Sequence, residues 1–131
     1  MFDWLQYHNL AKERLGMIHE PVSEEAKQRS AISRAYYAAF NIAAEYILAS
    51  EGESALPAGV AQHEAVQRHF SIRKDGVSRK IADDFGYLRT ERNKADYKIN
   101  ARIAPATSRE AVRRAGEVIR QIDLLTRRLH L

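Results

Sequence analysis

Apolar residues recur every three or four positions through most of the chain, and Gly, Pro and capping residues separate the runs. A period near 3.6 residues is typical of amphipathic helices that bury one face. No segment alternates apolar and polar residues at a period of two, so strands are not expected. The pattern therefore predicts an all-α fold, an antiparallel bundle of four to five helices in a single domain at residues 1–131.

Two helices are predicted in the first part of the chain. The first spans residues 3–19 and ends at Pro21, because proline lacks the amide hydrogen that a helix interior needs. Ser23, followed by two glutamates, is an N-cap signal for a second helix that runs to about Ser50 and closes at Gly52. Its alanine-rich stripe permits close packing and predicts the central helix of the core. The stripe consists of Ile32, Ala35 or Tyr36, Ala39 or Phe40, Ala43, and Tyr46 or Ile47.

Three more helices are predicted after a loop at residues 51–59. A short helix at 61–70 and a turn at 72–76 precede a longer helix at 77–98. Pro105 blocks continuation, and Thr107 with Glu110 three positions later predicts a capping box for the last helix. Its predicted buried face is Val112, Ala115, Val118 or Ile119, Ile122, Leu125 and Leu129. Its other face is basic, with Arg113, Arg114, Arg120, Arg127 and Arg128.

Charge is distributed unevenly along the chain. Residues 1–65 contain 5 Lys/Arg and 9 Asp/Glu, a net charge of −4, whereas residues 66–131 contain 16 and 8, a net charge of +8. The two parts sum to the formal charge of +4. A basic half indicates an anionic partner, either nucleic acid or an acidic protein surface, and the alternative is a set of solvated helix faces.

Several classes of chemistry are excluded by composition and spacing. The chain has no cysteine, which excludes disulfides, thiolate metal sites and cysteine nucleophiles. His63 and His69 are six positions apart on one predicted helix and face different sides, so we expect no metal and no cofactor. The first residues lack the features of a secretory signal, and no apolar run approaches the roughly 18 residues of a membrane span. We therefore expect a cytoplasmic protein that does not cross a membrane.

Polar residues lie on or beside the packing faces of two predicted helices. On the second helix, Arg34 and Tyr37 belong to a polar stripe that continues with Asn41 and Glu45. On the fourth helix, Arg92 falls within the apolar stripe formed by Ile81, Phe85, Leu88, Ala95 and Ile99. A guanidinium at such a position must be paired or must face a cleft, where it can bind a phosphodiester bidentately. Its ion-pair candidate is Asp96, four positions later.

The segments ISRAYYAAFNIAAEYIL, QHEAVQRHF and LRTERNKADY, in that order, resemble the HEPN family of small helical-bundle proteins. The resemblance covers roughly residues 8–125. It implies a protein that acts on RNA, either a toxin-like, metal-independent endoribonuclease or a catalytically degenerate RNA-binding module, in a toxin–antitoxin or defence pair. It also implies a homodimer and a small nucleotidyltransferase as the partner.

The resemblance places the site on the fourth predicted helix. Ribonuclease members have an Arg, a polar residue directly after it, and a His four to six positions after the Arg. Arg92 and Asn93 match this pattern, but no His occurs between His69 and His130. The chain resembles instead the branch ending in Ala-Asp-Tyr. This branch implies that Asp96 and Tyr97 are the important positions, so the catalytic candidates are Arg92, Asp96 and Tyr97. The candidates for binding RNA or a nucleotide are Arg89 and Asn93 on the same helix and Arg34 and Tyr37 beside them on the second helix.

Cleavage of RNA needs a base for the 2′-hydroxyl, stabilisation of the phosphorane charge and an acid for the leaving oxygen. Arg92 can supply the stabilisation, but an ion-paired Asp96 is a poor base at neutral pH. His63 is a further catalytic candidate, and capping or packing is its alternative role. Two other functions stay open at this point. One is an interaction protein that docks a nucleotidyltransferase or another acidic partner, and the other is a nucleotide-binding module.

Overall fold

The computed structural model describes residues 2–17 and 22–129, which form five α-helices and one 3-10 turn. The helices are α1 (Leu5–Arg14), α2 (Glu24–Glu51), α3 (Ala61–Ser71), α4 (Gly76–Tyr97) and α5 (Pro105–Leu129), with the turn at Glu53–Ala55. The described residues contain no strand, so the prediction of an all-α bundle is confirmed. None of the described helices is long and apolar enough to cross a membrane.

The two helices that carry most of the site, α2 and α4, each have an N-cap side chain that hydrogen-bonds a backbone amide of the first turn. The Ser23 hydroxyl accepts a hydrogen bond from the Ala26 amide at 3.2 Å, which confirms the predicted N-cap of α2. The Asp75 carboxylate caps α4 in the same way, through the Ser78 amide at 2.8 Å. The predicted first helix was too long, because α1 ends at Arg14. Residues 18 and 19 of that prediction lie outside the described residues.

The start of α5 differs from the prediction. The helix begins at Pro105, and Thr107 lies inside it, with its amide bonded to the Ala104 carbonyl at 3.0 Å. Proline suits the first helical position because its missing amide hydrogen is not needed there. Glu110 binds Arg113 and Arg114, and it accepts no hydrogen bond from a backbone amide of the described residues. The predicted capping box was therefore wrong.

The main core lies between α2, α4 and α5, and α3 covers one side of it. From α5 it contains Ala111, Ala115, Val118 and Ile122, while Leu125 is partly buried against it. Val112 and Leu129, which were predicted to be buried, are each 52% exposed. The reason for Val112 is geometric, because each residue turns the helix by about 100° and Ala111 occupies the buried position.

Contacts along the helices give their directions. Arg29 of α2 contacts Ala95 near the end of α4, and Tyr37, two turns later on α2, contacts Arg92, which lies earlier on α4. The helices α2 and α4 are therefore antiparallel. Contacts between α2 and α3 run in ascending order along both helices. His63 near the start of α3 stacks on Phe40, and Arg73, two residues after the end of α3, binds Glu51, the last residue of α2. Thus α2 and α3 run in the same direction, because the loop at 52–60 returns the chain before α3 begins.

A second cluster joins the N-terminal segment to the ends of α2 and α4. It contains Phe2, Leu10, Val22 and Ala26, with Trp4, Tyr7 and Ile99 packed against it. The Phe2 amide also donates to the Ile99 carbonyl at 2.8 Å. Ile99 was predicted on the stripe of the fourth helix, but it lies beyond Tyr97, where α4 has ended, and packs in this second cluster.

Candidate functional site

Arg92 lies where α4 faces α2, and its side chain is only 12% exposed. Its Nε donates to the Asp96 carboxylate at 2.9 Å, and Nη1 donates to Asn93 Oδ1 at 3.3 Å. Its Nη2 donates to the hydroxyls of Tyr37 on α2 and of Tyr97, the latter at 3.0 Å. The structure therefore brings together five of the residues singled out in the sequence.

Asp96 is the acidic partner of this cluster. Its carboxylate is 16% exposed and accepts hydrogen bonds from Arg92 and, across the helix interface, from the Ser33 hydroxyl of α2 at 3.2 Å. Ser33 was missed by the sequence reasoning, although it lies one helical turn before Tyr37 and so shares the face that meets α4. The carboxylate is thus tied to both helices.

Aromatic rings surround the Arg92 guanidinium. Its central carbon is 5.0 Å from the ring centres of Tyr37 and Tyr97 and 5.5 Å from that of Tyr36, which is within the range of cation–π attraction. Burial alone would lower the pKa of Arg92, but the neighbouring Tyr37, Tyr97 and Asp96 outweigh burial and raise it above its usual value. Arg92 is therefore a fixed positive charge at this site.

His63 enters the same region from α3. Its ring stacks on Phe40, with 4.3 Å between ring centres and 19° between planes. Its Nδ1 lies 2.6 Å from the hydroxyl of Tyr36, which is 1% exposed. Burial, followed by the positive charges of Arg92 and Arg89, lowers the pKa of His63 below its ordinary value. His63 is consequently neutral at pH 7 and packed beside the Arg92 cluster.

Arg89 lies one turn before Arg92 on α4 and lines a separate cleft of about 340 Å³ between α3 and α4. The other residues of this cleft are Glu64, Gln67, Arg68 and Ser71. Two guanidinium groups thus face one polar cleft that also contains a carboxylate. Because residues three apart lie on the same side of a helix, Arg89 and Arg92 lie on neighbouring parts of one surface.

Arg34 is exposed and does not join the Arg92 cluster through any hydrogen bond or ion pair within the described residues. It lines a cavity of about 240 Å³ between α1 and α2, together with Tyr7, Leu10, Ala11, Ser30 and Ser33. The neighbouring Ser33, and not Arg34, takes the position facing Asp96. Of the predicted binding residues, Tyr37 and Asn93 contact Arg92, whereas Arg34 and Arg89 line separate cavities.

Arg29 of α2 is fully buried and holds the end of α4, a role that the sequence reasoning missed. Its Nη1 and Nη2 donate to four backbone carbonyls at 2.6–3.2 Å, those of Lys94, Ala95, Lys98 and Ala101. Its Nε binds Glu25 at 3.2 Å, and its guanidinium lies 4.4 Å from the centre of the Phe2 ring. The available signal was its spacing, because Arg29 lies three residues before Ile32 on the buried stripe.

The cluster contains one carboxylate, one guanidinium and two phenols, a donor set suited to anions and to aromatic rings. Among the described residues, no group of three or more His, Cys, Asp or Glu side chains is placed to hold a metal ion. Comparison of the chain with protein-family models, with curated proteins and with solved structures finds no match.

Proposed function

We propose that this protein is an RNA-binding helical module of the HEPN type, with Arg92 at the centre of its binding surface. The observation that carries the proposal is the placement of Arg92 between hydroxyl groups of two helices, directly beside the exposed ring of Tyr97. The order of the three HEPN-like segments, described above, supports the same assignment. The basic second half of the chain, with a net charge of +8, suits a polyanion.

Tyr97 favours RNA over an acidic protein as the anionic partner. Its side chain is 66% exposed, and its hydroxyl accepts a hydrogen bond from Arg92. An exposed ring next to a guanidinium offers a stacking surface for an unpaired base and a charge for its phosphate. The arginines of α5 give less support to a protein partner, because several pair with acids of their own helix. These pairs are Arg113 and Arg114 with Glu110, Arg120 with Glu117, and Arg127 with Asp123.

The hydrogen bonds of Arg92 determine how it can bind a phosphate. A guanidinium has five N–H donors. Arg92 uses one for Asp96, one for Asn93 and two for the tyrosine hydroxyls, which leaves one donor on Nη1. A bidentate grip on phosphate therefore requires a rotation of Tyr97, whose ring is mostly exposed. We expect RNA to displace the Tyr97 hydroxyl from Arg92 and to take that donor.

The same contacts support binding more strongly than cleavage. Cleavage requires a group that accepts the proton of the 2′-hydroxyl. Asp96 accepts hydrogen bonds from both Arg92 and Ser33, and the Nδ1 atom of His63 is engaged by Tyr36. The Asp96 carboxylate and the Nδ1 atom of His63 are thus both occupied within the protein. We therefore propose RNA binding as the function, and the experiment below distinguishes binding from cleavage.

The cleft between α3 and α4 gives the RNA a path away from Arg92. Arg89 and Arg68 line this cleft, and Arg89 is one helical turn from Arg92. A strand whose phosphate lies at Arg92 therefore passes Arg89 and then Arg68. Glu64 lies in the same cleft and opposes binding by charge repulsion. We accordingly expect a short single-stranded segment as the ligand.

Binding of a labelled single-stranded RNA in EDTA, measured over a range of salt concentrations, tests the proposal. Each lost phosphate contact lowers the slope of log K against log salt by about 0.7 for a single strand. We expect this loss for Arg92→Gln, Arg89→Gln and Arg68→Gln. The control is Arg79→Gln, which removes the same charge from an exposed position on α4 about 20 Å from Arg92 along the helix.

Three results decide between the functions. Absence of RNA binding at low salt refutes the proposal, as does an equal loss of affinity in Arg92→Gln and Arg79→Gln. If the wild-type protein produces discrete RNA fragments in EDTA and Arg92→Gln does not, the function is endoribonuclease activity and not binding alone. The homodimer and the nucleotidyltransferase partner implied by the resemblance are tested separately, by light scattering of the purified chain and by copurification with such an enzyme.

A further inference from the structure

The hydroxyl of Tyr36 and the ring of His63 form a closely defined pair. The distance from the hydroxyl oxygen to Nδ1 is 2.6 Å, which is short for a hydrogen bond between neutral groups. Stacking on Phe40 at 4.3 Å and the nearly parallel Tyr36 ring, at 20°, fix the plane of the imidazole. Both partners are held by packing, so the direction of this hydrogen bond determines which ring nitrogen of His63 carries the proton.

The number of available acceptors settles that direction. Tyr36 is 1% exposed, and within the described residues its hydroxyl has one hydrogen-bond partner, Nδ1 of His63. If His63 donated from Nδ1, the phenolic proton would be buried without an acceptor, which is unfavourable because a buried donor loses its hydrogen bond to water. If Tyr36 donates, both groups are satisfied and His63 carries its proton on Nε2. Burial raises the pKa of Tyr36 to about 12, despite the opposing charges of Arg89 and Arg92, so the phenol keeps its proton at neutral pH.

The surroundings of His63 keep it neutral. Arg89 and Arg92 face it from α4, Tyr36 and Tyr37 face it from α2, and Glu64 follows it on α3. The nearby guanidinium groups disfavour a second positive charge. Its Nε2 makes no hydrogen bond to the described residues and is not among the enclosed polar atoms. The Tyr7 hydroxyl is the one enclosed side-chain polar atom without a partner there.

We propose that Tyr36 is a positioning residue that fixes His63 as the Nε2–H tautomer, so that His63 presents a neutral hydrogen-bond donor, and not a base, beside Arg92. The part that concerns RNA rests on the proposed function. There, the Nε2 proton supplies an additional donor for a phosphate or base oxygen near the single free donor of Arg92. Tyr36 does not touch the ligand and acts through His63.

Nitrogen-15 NMR of the histidine rings in the full chain tests the tautomer directly. The His63 signals are identified by their loss in His63→Gln. We expect an unprotonated Nδ1 and a protonated Nε2 in the wild-type protein at pH 7.5. Tyr36→Phe removes the donor to Nδ1, so we expect a mixture of tautomers and a higher His63 pKa, because the lost hydrogen bond favoured the neutral ring. A wild-type ring protonated on Nδ1, or an unchanged ring in Tyr36→Phe, overturns the proposal.

The control is Tyr46→Phe, which removes a hydroxyl from the same helix next to His69 and away from His63. Circular dichroism verifies that each variant is folded. If Tyr36→Phe does not fold, the nitrogen-15 NMR spectrum of the wild-type protein by itself decides which ring nitrogen of His63 is protonated. For RNA, we expect His63→Leu to lose affinity about three- to tenfold, and His63→Gln, whose amide can donate, to lose less. Equal losses refute the donor role. Failure of the wild-type protein to bind RNA refutes the proposed function, while the NMR result still decides the tautomer.

Discussion

Replacement of Arg29 by methionine is expected to destabilise the protein strongly. Methionine matches the aliphatic stem of arginine but has no donors, so the carbonyls at the end of α4 lose the Arg29 guanidinium. The carbonyls of Lys94 and Lys98 each keep a hydrogen bond from a backbone amide at 3.1 Å. The carbonyls of Ala95 and Ala101 lose the one donor that they have within the described residues, the Arg29 guanidinium. At about 1–3 kcal/mol for each unsatisfied acceptor, the expected loss is about 2–6 kcal/mol. This is a large part of a typical stability of about 5–15 kcal/mol.

Urea unfolding followed by circular dichroism measures this loss. With a slope of about 2 kcal/mol per molar urea, a loss of 4 kcal/mol lowers the midpoint by about 2 M. The control is Arg34→Met, the same change at an exposed position of α2, for which we expect less than about 0.5 kcal/mol. A midpoint of Arg29→Met within 0.5 M of the wild type, roughly 1 kcal/mol, refutes the assignment of Arg29 as the residue that holds the end of α4.

Three further outcomes are expected from the same unfolding assay. Asp84→Asn, at a carboxylate that is 1% exposed and binds Lys80 at 3.1 Å, loses about 1–3 kcal/mol, and no loss at low salt would contradict a stabilising pair. Ser23→Ala loses about 0.5–2 kcal/mol through the missing cap of α2, and an unchanged midpoint would show that the cap is dispensable. Burial lowers the pKa of His63 and His69, so the unfolded chain binds more protons as the pH falls through about 6.5. Stability is therefore lower at pH 5.5 than at pH 7.5, and the difference shrinks in the double variant with glutamine at both positions; an equal midpoint at the two pH values contradicts this account.

The sequence predicted the helices well because their signals are local. The period of the apolar residues and the Ser23 cap depend on neighbours within one or two turns, and they located α2 and α4 to within a few residues. The exceptions are also local in origin. Two signals competed at the start of α5, where Pro105 forms the first helical position and Thr107 does not cap.

The candidate site was predicted in part. Arg92 was recognised because a charge on an apolar stripe needs a partner, and Asp96 four positions later is within reach on the same helix. Tyr37 contacts Arg92 across 55 positions of sequence. No periodicity specifies which residue of α2 faces which residue of α4, since that depends on the offset between the packed helices. For this reason Arg34 was predicted as a binding residue of the site, although Ser33 has the position that contacts Asp96.

By itself, the sequence determined the all-α class, most helix boundaries and the presence of a guanidinium at a packing position. These properties follow from hydrophobic burial and backbone hydrogen bonding within single helices. The tertiary structure alone decided that Arg29 binds the end of α4, that Tyr36 engages His63, and that four of the five donors of Arg92 are used within the protein. The physical reason is that a buried polar group must find its partners wherever packing places them, including on helices distant in sequence.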